Sequence, residues 1–260
     1  MTHHAKKVAV VIPARYGSSR FPGKVLASVQ SKSIIQWVYE AAATSGFVSR
    51  VIVATDDARI YEAVTGFGGE AIMTSSRLRT GSDRCAEVAE KMDEEIILNL
   101  QADELLKGPE MLDELIDMMI EYPPVKMGTL KRELTSAKEL WDRNVVKVVT
   151  DSDDYALYFS RSPIPYLRDR VLSEEEGLPS KTFYKHLGIY AFRRDFLLLF
   201  STLRTTRLED LEKLEQLRAI ESGFRIKVKE TGYESYRIDT PEDLQNLHKV
   251  LIHDHRKELS

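Results

Sequence analysis

Between Ile12 and Lys24 the sequence reads Ile-Pro-Ala-Arg-Tyr-Gly-Ser-Ser-Arg-Phe-Pro-Gly-Lys, which places three cations, Arg15, Arg20 and Lys24, within ten residues. Their guanidinium and ammonium groups offer charge-assisted hydrogen-bond donors, while Gly17, Ser18 and Ser19 allow close backbone approach and add hydroxyls. A set of this kind suits a triphosphate. Neither of the common phosphate-binding motifs is present: the loop has no Gly-x-Gly-x-x-Gly, and its Gly-Lys lacks the spacing of a Walker A sequence. A solvated polar turn would have a similar composition, so the surrounding elements must discriminate.

Those elements alternate. The β-branched run Lys7 to Ile12 stops at Pro13 and reads as a buried strand, so the loop leaves its carboxyl end, where open α/β sheets bind ligands. Helical spacing from Ser33 to Ser45 is followed by a strand at Val51 to Thr55, a strand at Glu70 to Thr74, a helix from Ser82 to Met92 and the apolar strand Ile96 to Leu100. That order predicts a doubly wound, mostly parallel α/β sheet. After a helix over Pro109 to Glu121 the rhythm changes. Strands at Met127 to Lys131, Val145 to Val149 and Ala156 to Ser160 follow in quick succession and predict a mixed-sheet lobe, inserted at about residues 150–195 of a single 1–260 domain. Residues 161–185 read as a long loop. The chain then continues through a strand at His186 to Phe192, a helix at Asp195 to Leu203, a charged amphipathic helix from Glu209 to Ser222, a strand at Arg225 to Glu230 and a helix opened by Thr240-Pro241-Glu242.

Composition narrows the class. With 43% apolar and 30% charged residues among 260, the chain is an ordinary globular protein, and a net charge of −4 supplies no general field for nucleic acid or anionic lipid. One cysteine, Cys85, excludes an internal disulfide and reads as a small, partly buried apolar side chain. No apolar run approaches the roughly 20 residues of a membrane span, and the first residues lack a signal peptide's pattern, which predicts a cytoplasmic location.

The opening loop resembles that of the 3-deoxy-manno-octulosonate (KDO) cytidylyltransferases, members of the sugar nucleotidyltransferase fold, which is Rossmann-like. Further similarity runs in order along nearly the whole chain. It includes Val53-Ala54-Thr55-Asp56-Asp57-x-Arg59-Ile60, Gly81-Ser82-Asp83-Arg84, Asn144 to Val149, Ala156 to Pro165, Lys185 to Tyr190, Leu208-Glu209 through Leu214-Glu215-Gln216-Leu217-Arg218, and Asp239 to Leu244. The resemblance implies that CTP and KDO are joined to give CMP-KDO and pyrophosphate, by attack of the anomeric hydroxyl on the α-phosphorus without a covalent enzyme intermediate. It implies that Arg15 and Lys24 meet the phosphates and that Asp103 and Asp239 hold Mg²⁺. Hard carboxylate oxygens at strand ends fit that ion, which needs only one or two from the protein. Asp239 also reads as a helix cap before Pro241.

By the same resemblance Ala14, Ser18, Ser82, Asp83 and Gln101 contact the nucleotide. Arg20, Arg161, His186, Tyr190, Glu215 and Gln216 serve the sugar, whose carboxylate calls for a guanidinium and whose hydroxyls call for mixed donors and acceptors. Taken alone, Glu215 and Gln216 sit on a helix whose remaining charges, Glu209, Asp210, Glu212, Lys213 and Arg218, look like a solvated face. A homodimer is expected, with residues 155–185 at its interface, and the product would feed lipopolysaccharide or capsule assembly.

Three departures fall inside the family's motifs. Ala102 stands where Gly is usual, in Gln101-Ala102-Asp103-Glu104-Leu105-Leu106, and Leu105 replaces a proline. A positive φ at residue 102 would strain this loop. Arg77-Leu78-Arg79-Thr80 lacks the usual histidine, and Arg237 replaces a glycine two residues before Asp239. These changes leave two alternatives beside the main reading: the same chemistry on 8-amino-KDO or another acidic 2-keto sugar, or a non-catalytic nucleotide-binding homologue.

Overall fold

The computed structural model describes residues 8–17, 21–169 and 177–247, and divides into two compact units, Met1–Asp113 with Glu234–Ser260, and Glu114–Tyr233. The expected lobe of residues 150–195 lies inside the second. Among the described residues no helix is long and apolar enough to cross a membrane.

The first unit opens with β1 (Val8–Ala14), then the small hairpin β2 (Ser28–Val29) and β3 (Lys32–Ser33), and α1 (Ile34–Ala43). It continues through β4 (Arg50–Thr55), α2 (Ala58–Gly66), β5 (Glu70–Met73), α3 (Gly81–Ala89), β6 (Ile96–Asn99) and β7 (Glu104–Leu106), and reaches α4 (Glu110–Glu121). Strands β6, β1, β4 and β5 lie side by side and all parallel. Val8 to Ile12, in the middle of this sheet, are at most 1% exposed, which is why β1 is apolar without alternation. Cys85 on α3 is fully buried, further than the partial burial expected of it.

β1 runs two residues further than its sequence suggests, through Pro13 and Ala14, which pair with Ala54 and Thr55 of β4. The N–H that Pro13 lacks would face β6. That ladder ends at Val11 opposite Asn99, with Leu100 N donating to the Val11 carbonyl, so no sheet bond is lost.

The second unit holds β8 (Met127–Glu133), α5 (Ala137–Trp141), β9 (Lys147–Thr150), β10 (Ala156–Ser160), β11 (Tyr184–Arg193), α6 (Arg194–Thr202), α7 (Arg207–Glu212), α8 (Leu217–Glu221) and β12 (Ile226–Glu230). Its strands run in the order β10, β9, β11, β8, β12, antiparallel except for β12 on β8. This is the mixed sheet that the change of rhythm predicts.

One expected element is wrong. The continuous helix from Glu209 to Ser222 is two helices, broken at Lys213 with φ 53°. Glu209 and Arg218, nine residues apart, would stand about 13 Å apart along one helix. The break brings them into a buried bidentate pair, with Arg218 Nε 2.9 Å and Nη2 2.5 Å from the Glu209 carboxylate. These two charges are 7% and 3% exposed, so they belong to the interior and not to a solvated face.

Finally β13 (Ser235–Arg237), in the first unit, pairs antiparallel with β7, and a helical segment follows over 241–247.

Candidate active site

The first unit brings the two expected metal residues, Asp103 and Asp239, onto one lysine, Lys24. Beyond β1 come the exposed Arg15, then Tyr16 and Gly17; Ser18 and Arg20 lie outside the described residues. Gly23 N donates to the Tyr16 carbonyl at 2.9 Å and closes the loop. Gly23 has φ 71°, and a Cβ there would meet the Tyr16 ring at 2.9 Å, so both backbone and space demand glycine. The Tyr16 ring is backed by Arg59, whose guanidinium lies 3.3 Å from the ring centroid and is itself gripped by Asp57 at 2.9 and 2.6 Å. Arg59 draws the Asp57 carboxyl below its usual range. Asp57 and Arg59 of the Asp-Asp-x-Arg run after β4 thus back Tyr16, while Asp56 pairs with Arg84 Nη2 at 3.1 Å.

The Lys24 ammonium uses three donors. It contacts Asp103 Oδ2 at short range, Asp239 Oδ1 at 2.9 Å and the Ile238 carbonyl at 2.8 Å. The carboxylates face each other because β7 and β13 form a ladder in which Glu104 lies opposite Arg237, extended by Ile238 N donating to the Asp103 carbonyl at 3.0 Å. Asp103 precedes β7 and Asp239 follows β13. The three side chains are only 11%, 16% and 19% exposed, so the charges meet in a largely desolvated place.

Asp239 does not cap the following helix through its side chain. Thr240 and Asp243 form that cap: Asp243 Oδ2 accepts from the N–H of Asp239 and of Thr240 at 2.9 and 2.8 Å, and Asp243 N donates to Thr240 Oγ1 at 3.2 Å. The Asp239 carboxylate is thereby left to Lys24 and to Arg237 Nε, 3.2 Å away. Arg237 is 60% exposed and pairs with Asp239 from the solvent side. Ala102 is buried and is not among the described residues with positive φ, so its Cβ brings no strain. Glu104, next to Asp103 and followed by Leu105 and Leu106 in β7, is buried. Burial pushes its carboxyl up, opposed by a hydrogen bond from the Ser235 hydroxyl and the charge of Arg237.

The expected nucleotide contacts fall into two groups. Ala14 is buried at the end of β1, and Arg15 Nη2 reaches the Arg79 carbonyl at 3.4 Å, in the segment that lacks the usual histidine. Gln101 Nε2 donates to Asn99 Oδ1 at 2.8 Å, and Asn99 Nδ2 donates to Ser82 Oγ at 3.1 Å. Ser82 and Asn99 are 2% and 1% exposed. They therefore orient the Gln101 amide from beneath. Asp83 closes a capping box with Thr80 at the start of α3.

In the second unit Arg161 follows β10, with Nε donating to the Glu212 carbonyl at 2.8 Å and Nη1 to the Arg143 carbonyl at 2.9 Å. His186 Nε2 lies 2.9 Å from Thr129 Oγ1, whose hydroxyl reaches the Ile189 carbonyl at 2.7 Å; with that proton committed, the imidazole is the donor to Thr129. Tyr190 stands beside it, ring centroids 5.3 Å apart, across an irregularity in the β11–β8 pairing between Leu187 and Tyr190. Glu215 and Gln216 lie in the turn between α7 and α8. Gln216 is 4% exposed, and its Nε2 has no hydrogen-bond partner among the described residues. A buried amide donor left without an acceptor costs about 1–3 kcal/mol, a burden that a ligand acceptor would relieve.

Asn99, Thr129 and Glu212 escaped the sequence reading. Each acts on its neighbours through hydrogen bonds, and nothing in spacing alone announces that.

Residues 9–231 match the family model described as cytidylyltransferase. A 3-deoxy-manno-octulosonate cytidylyltransferase of Geobacter metallireducens is 51% identical over 244 residues, covering 93% of this chain and 96% of that protein. One from Geotalea uraniireducens is 52% identical over 244 residues, covering 93% and 97%. A solved CMP:2-keto-3-deoxy-manno-octonic acid synthetase complexed with CTP superposes with a TM-score of 0.87 at 41% identity, covering 95% of this chain and 99% of that one. The chain belongs to the cytidylyltransferase family, on the branch of the 3-deoxy-manno-octulosonate cytidylyltransferases.

Proposed function

We infer that this protein is a nucleotidyltransferase that joins CTP to KDO, giving CMP-KDO and pyrophosphate. The observation that carries the reading is the convergence of Asp103 and Asp239 on the ammonium of Lys24. Oxygens of two carboxylates that meet on one cation form a hard donor set of the kind a magnesium ion takes, with phosphate oxygens and water completing its shell. Among the described residues no group of three or more His, Cys, Asp or Glu side chains could hold a metal, so the substrate phosphates must supply the balance of any such shell. Mg²⁺ held there would offset the charge of the triphosphate.

The chain's own residues do the rest by position. Arg15 and Lys24, with Ser18 beyond the described residues, meet the phosphates. Gln101, oriented by Asn99 and Ser82, meets the nucleotide. Arg161 takes the sugar's carboxylate, while Arg20, His186, Tyr190, Glu215 and the unpaired Gln216 amide receive its hydroxyls. The anomeric oxygen bonds to the α-phosphorus as the bond to the departing pyrophosphate breaks, and the hydroxyl proton passes to water. Donors fixed in advance lower the cost of the charge that develops. The enzyme works in the cytoplasm, supplies lipopolysaccharide or capsule assembly and acts as a homodimer.

Purified protein given CTP, Mg²⁺ and KDO should release pyrophosphate, and Asp103→Ala should lower the rate at least about a hundredfold. A folded protein that binds CTP and releases none would overturn the assignment. Running 8-amino-KDO alongside identifies the preferred sugar.

A further inference from the structure

Arg161 is held in an unusual way for a guanidinium. Its nearest carboxylate, that of Glu212, does not take the guanidinium face to face. Glu212 Oε2 accepts the Arg161 backbone N–H at 3.0 Å, and Oε1 accepts the Ser160 hydroxyl at 2.6 Å. The guanidinium donates to two neutral carbonyls, of Glu212 at 2.8 Å and of Arg143 at 2.9 Å. The segment that carries the Arg143 carbonyl is anchored too. Lys147, 0% exposed, donates to the flanking carbonyls of Asp142 and Val145 at 2.9 and 2.6 Å.

Three consequences follow from this geometry. The end of β10 is clamped to the last turn of α7, so Arg161 cannot swing as a surface arginine would. Its charge is hydrogen-bonded on two sides but not neutralised by direct pairing, because neutral acceptors occupy those sides. Its Nη2 has no partner among the described residues. A guanidinium fixed in this manner presents one edge to an incoming anion with little ordering entropy left to lose.

We propose that Glu212 is a positioning residue for the acidic sugar: it fixes Ser160 and Arg161 so that the Nη2 edge of Arg161 meets the sugar's carboxylate. The proposal rests on the reading that Arg161 receives that carboxylate. Glu212 itself touches no substrate, and its effect is confined to one group of one substrate.

The test uses the full-length protein loaded with CTP and Mg²⁺, and two sugar probes that cannot be transferred: KDO lacking its 2-hydroxyl, and the same sugar with its carboxylate converted to a carboxamide. Calorimetry should show Glu212→Ala weakening the carboxylate probe about tenfold or more, with the carboxamide and the KM for CTP within about twofold of wild type. Glu212→Gln, which keeps the volume and one acceptor, should fall between, and it carries the same comparison if the alanine variant does not fold. Equal losses for both probes, or a loss extending to CTP, would reduce Glu212 to a structural role and overturn the proposal. Arg161→Ala separates the two levels. If it too fails to distinguish the probes, the carboxylate does not meet Arg161 and the underlying reading falls with the proposal; if it distinguishes them and Glu212→Ala does not, only the proposal falls.

Discussion

Lys24 has two sets of possible partners, and the structure records one of them. Its ammonium lies against both carboxylates, so a cation of the chain itself sits between them. For the proposed Mg²⁺ to reach Asp103 and Asp239 that ammonium would have to leave, and the phosphates of the proposed nucleotide would receive it. Lys24→Met should therefore raise the affinity of the nucleotide-free protein for Mn²⁺ about tenfold, since the uncompensated carboxylates must recruit a cation from solution. Electron paramagnetic resonance of Mn²⁺ titrated against both proteins measures this directly. Equal binding would mean that Lys24 does not compete for the site. The sequence alone could name Lys24, Asp103 and Asp239, because charged residues at strand ends in a recognisable order are visible in one dimension. Their mutual contact was not visible, since it depends on a three-residue ladder between segments some 130 positions apart, such as the pair Ser235 and Leu106. For Ala102 the sequence raised a question of strain that only a backbone angle could answer, and the absence of a positive φ answers it.

Elements with a strong period were legible, and those fixed by tertiary contact were not. The buried run of β1 and the helix α1 after it follow from apolar spacing, whereas α2 (Ala58–Gly66) had no place in the sequence reading. β7, three residues long, carries too little pattern to be noticed, and the helix break at Lys213 goes with the Glu209–Arg218 pair, a contact no local propensity encodes. β11 supplies a pH-dependent consequence. Its first residue, Tyr184, has its phenol pushed up to about 12, chiefly by burial and then by the charge and hydrogen bond of Glu230. The unfolded chain titrates this group near 10, so the folded state holds the proton more tightly, and the stability it contributes is complete below pH 10 and disappears as pH rises through 12. Because the side chain is partly exposed, the contribution is at most about 1 kcal/mol. Urea midpoints between pH 9 and 11 should fall more steeply for wild type than for Tyr184→Phe. Parallel curves would mean that Tyr184 ionises in the fold as it does in water.

At the scale of the molecule, chemistry is divided between the units by residue. Phosphate and metal candidates lie in the first, and the described sugar candidates in the second. The net charge of −4 concentrates the task of holding an anionic nucleotide on a few local cations, which is why the loss of any one should be felt. The second unit also exposes large apolar side chains. Tyr166 is 87% exposed, Leu157 58% and Trp141 49%, and Leu157 belongs to β10, which ends the strand order of its unit. Leu157 and Tyr166 fall within residues 155–185, the segment proposed for the dimer, where a second copy would cover them. One chain weighs 29.7 kDa, so a dimer weighs twice that, about 59 kDa. Sedimentation velocity should return the dimer mass for wild type and the monomer mass for the double variant Leu157→Asp, Tyr166→Asp, because each aspartate would have to be desolvated on both sides of a twofold interface. A wild-type protein that sediments as a monomer at micromolar concentration would remove the dimer from the account. A double variant that stays dimeric would instead move the interface away from β10.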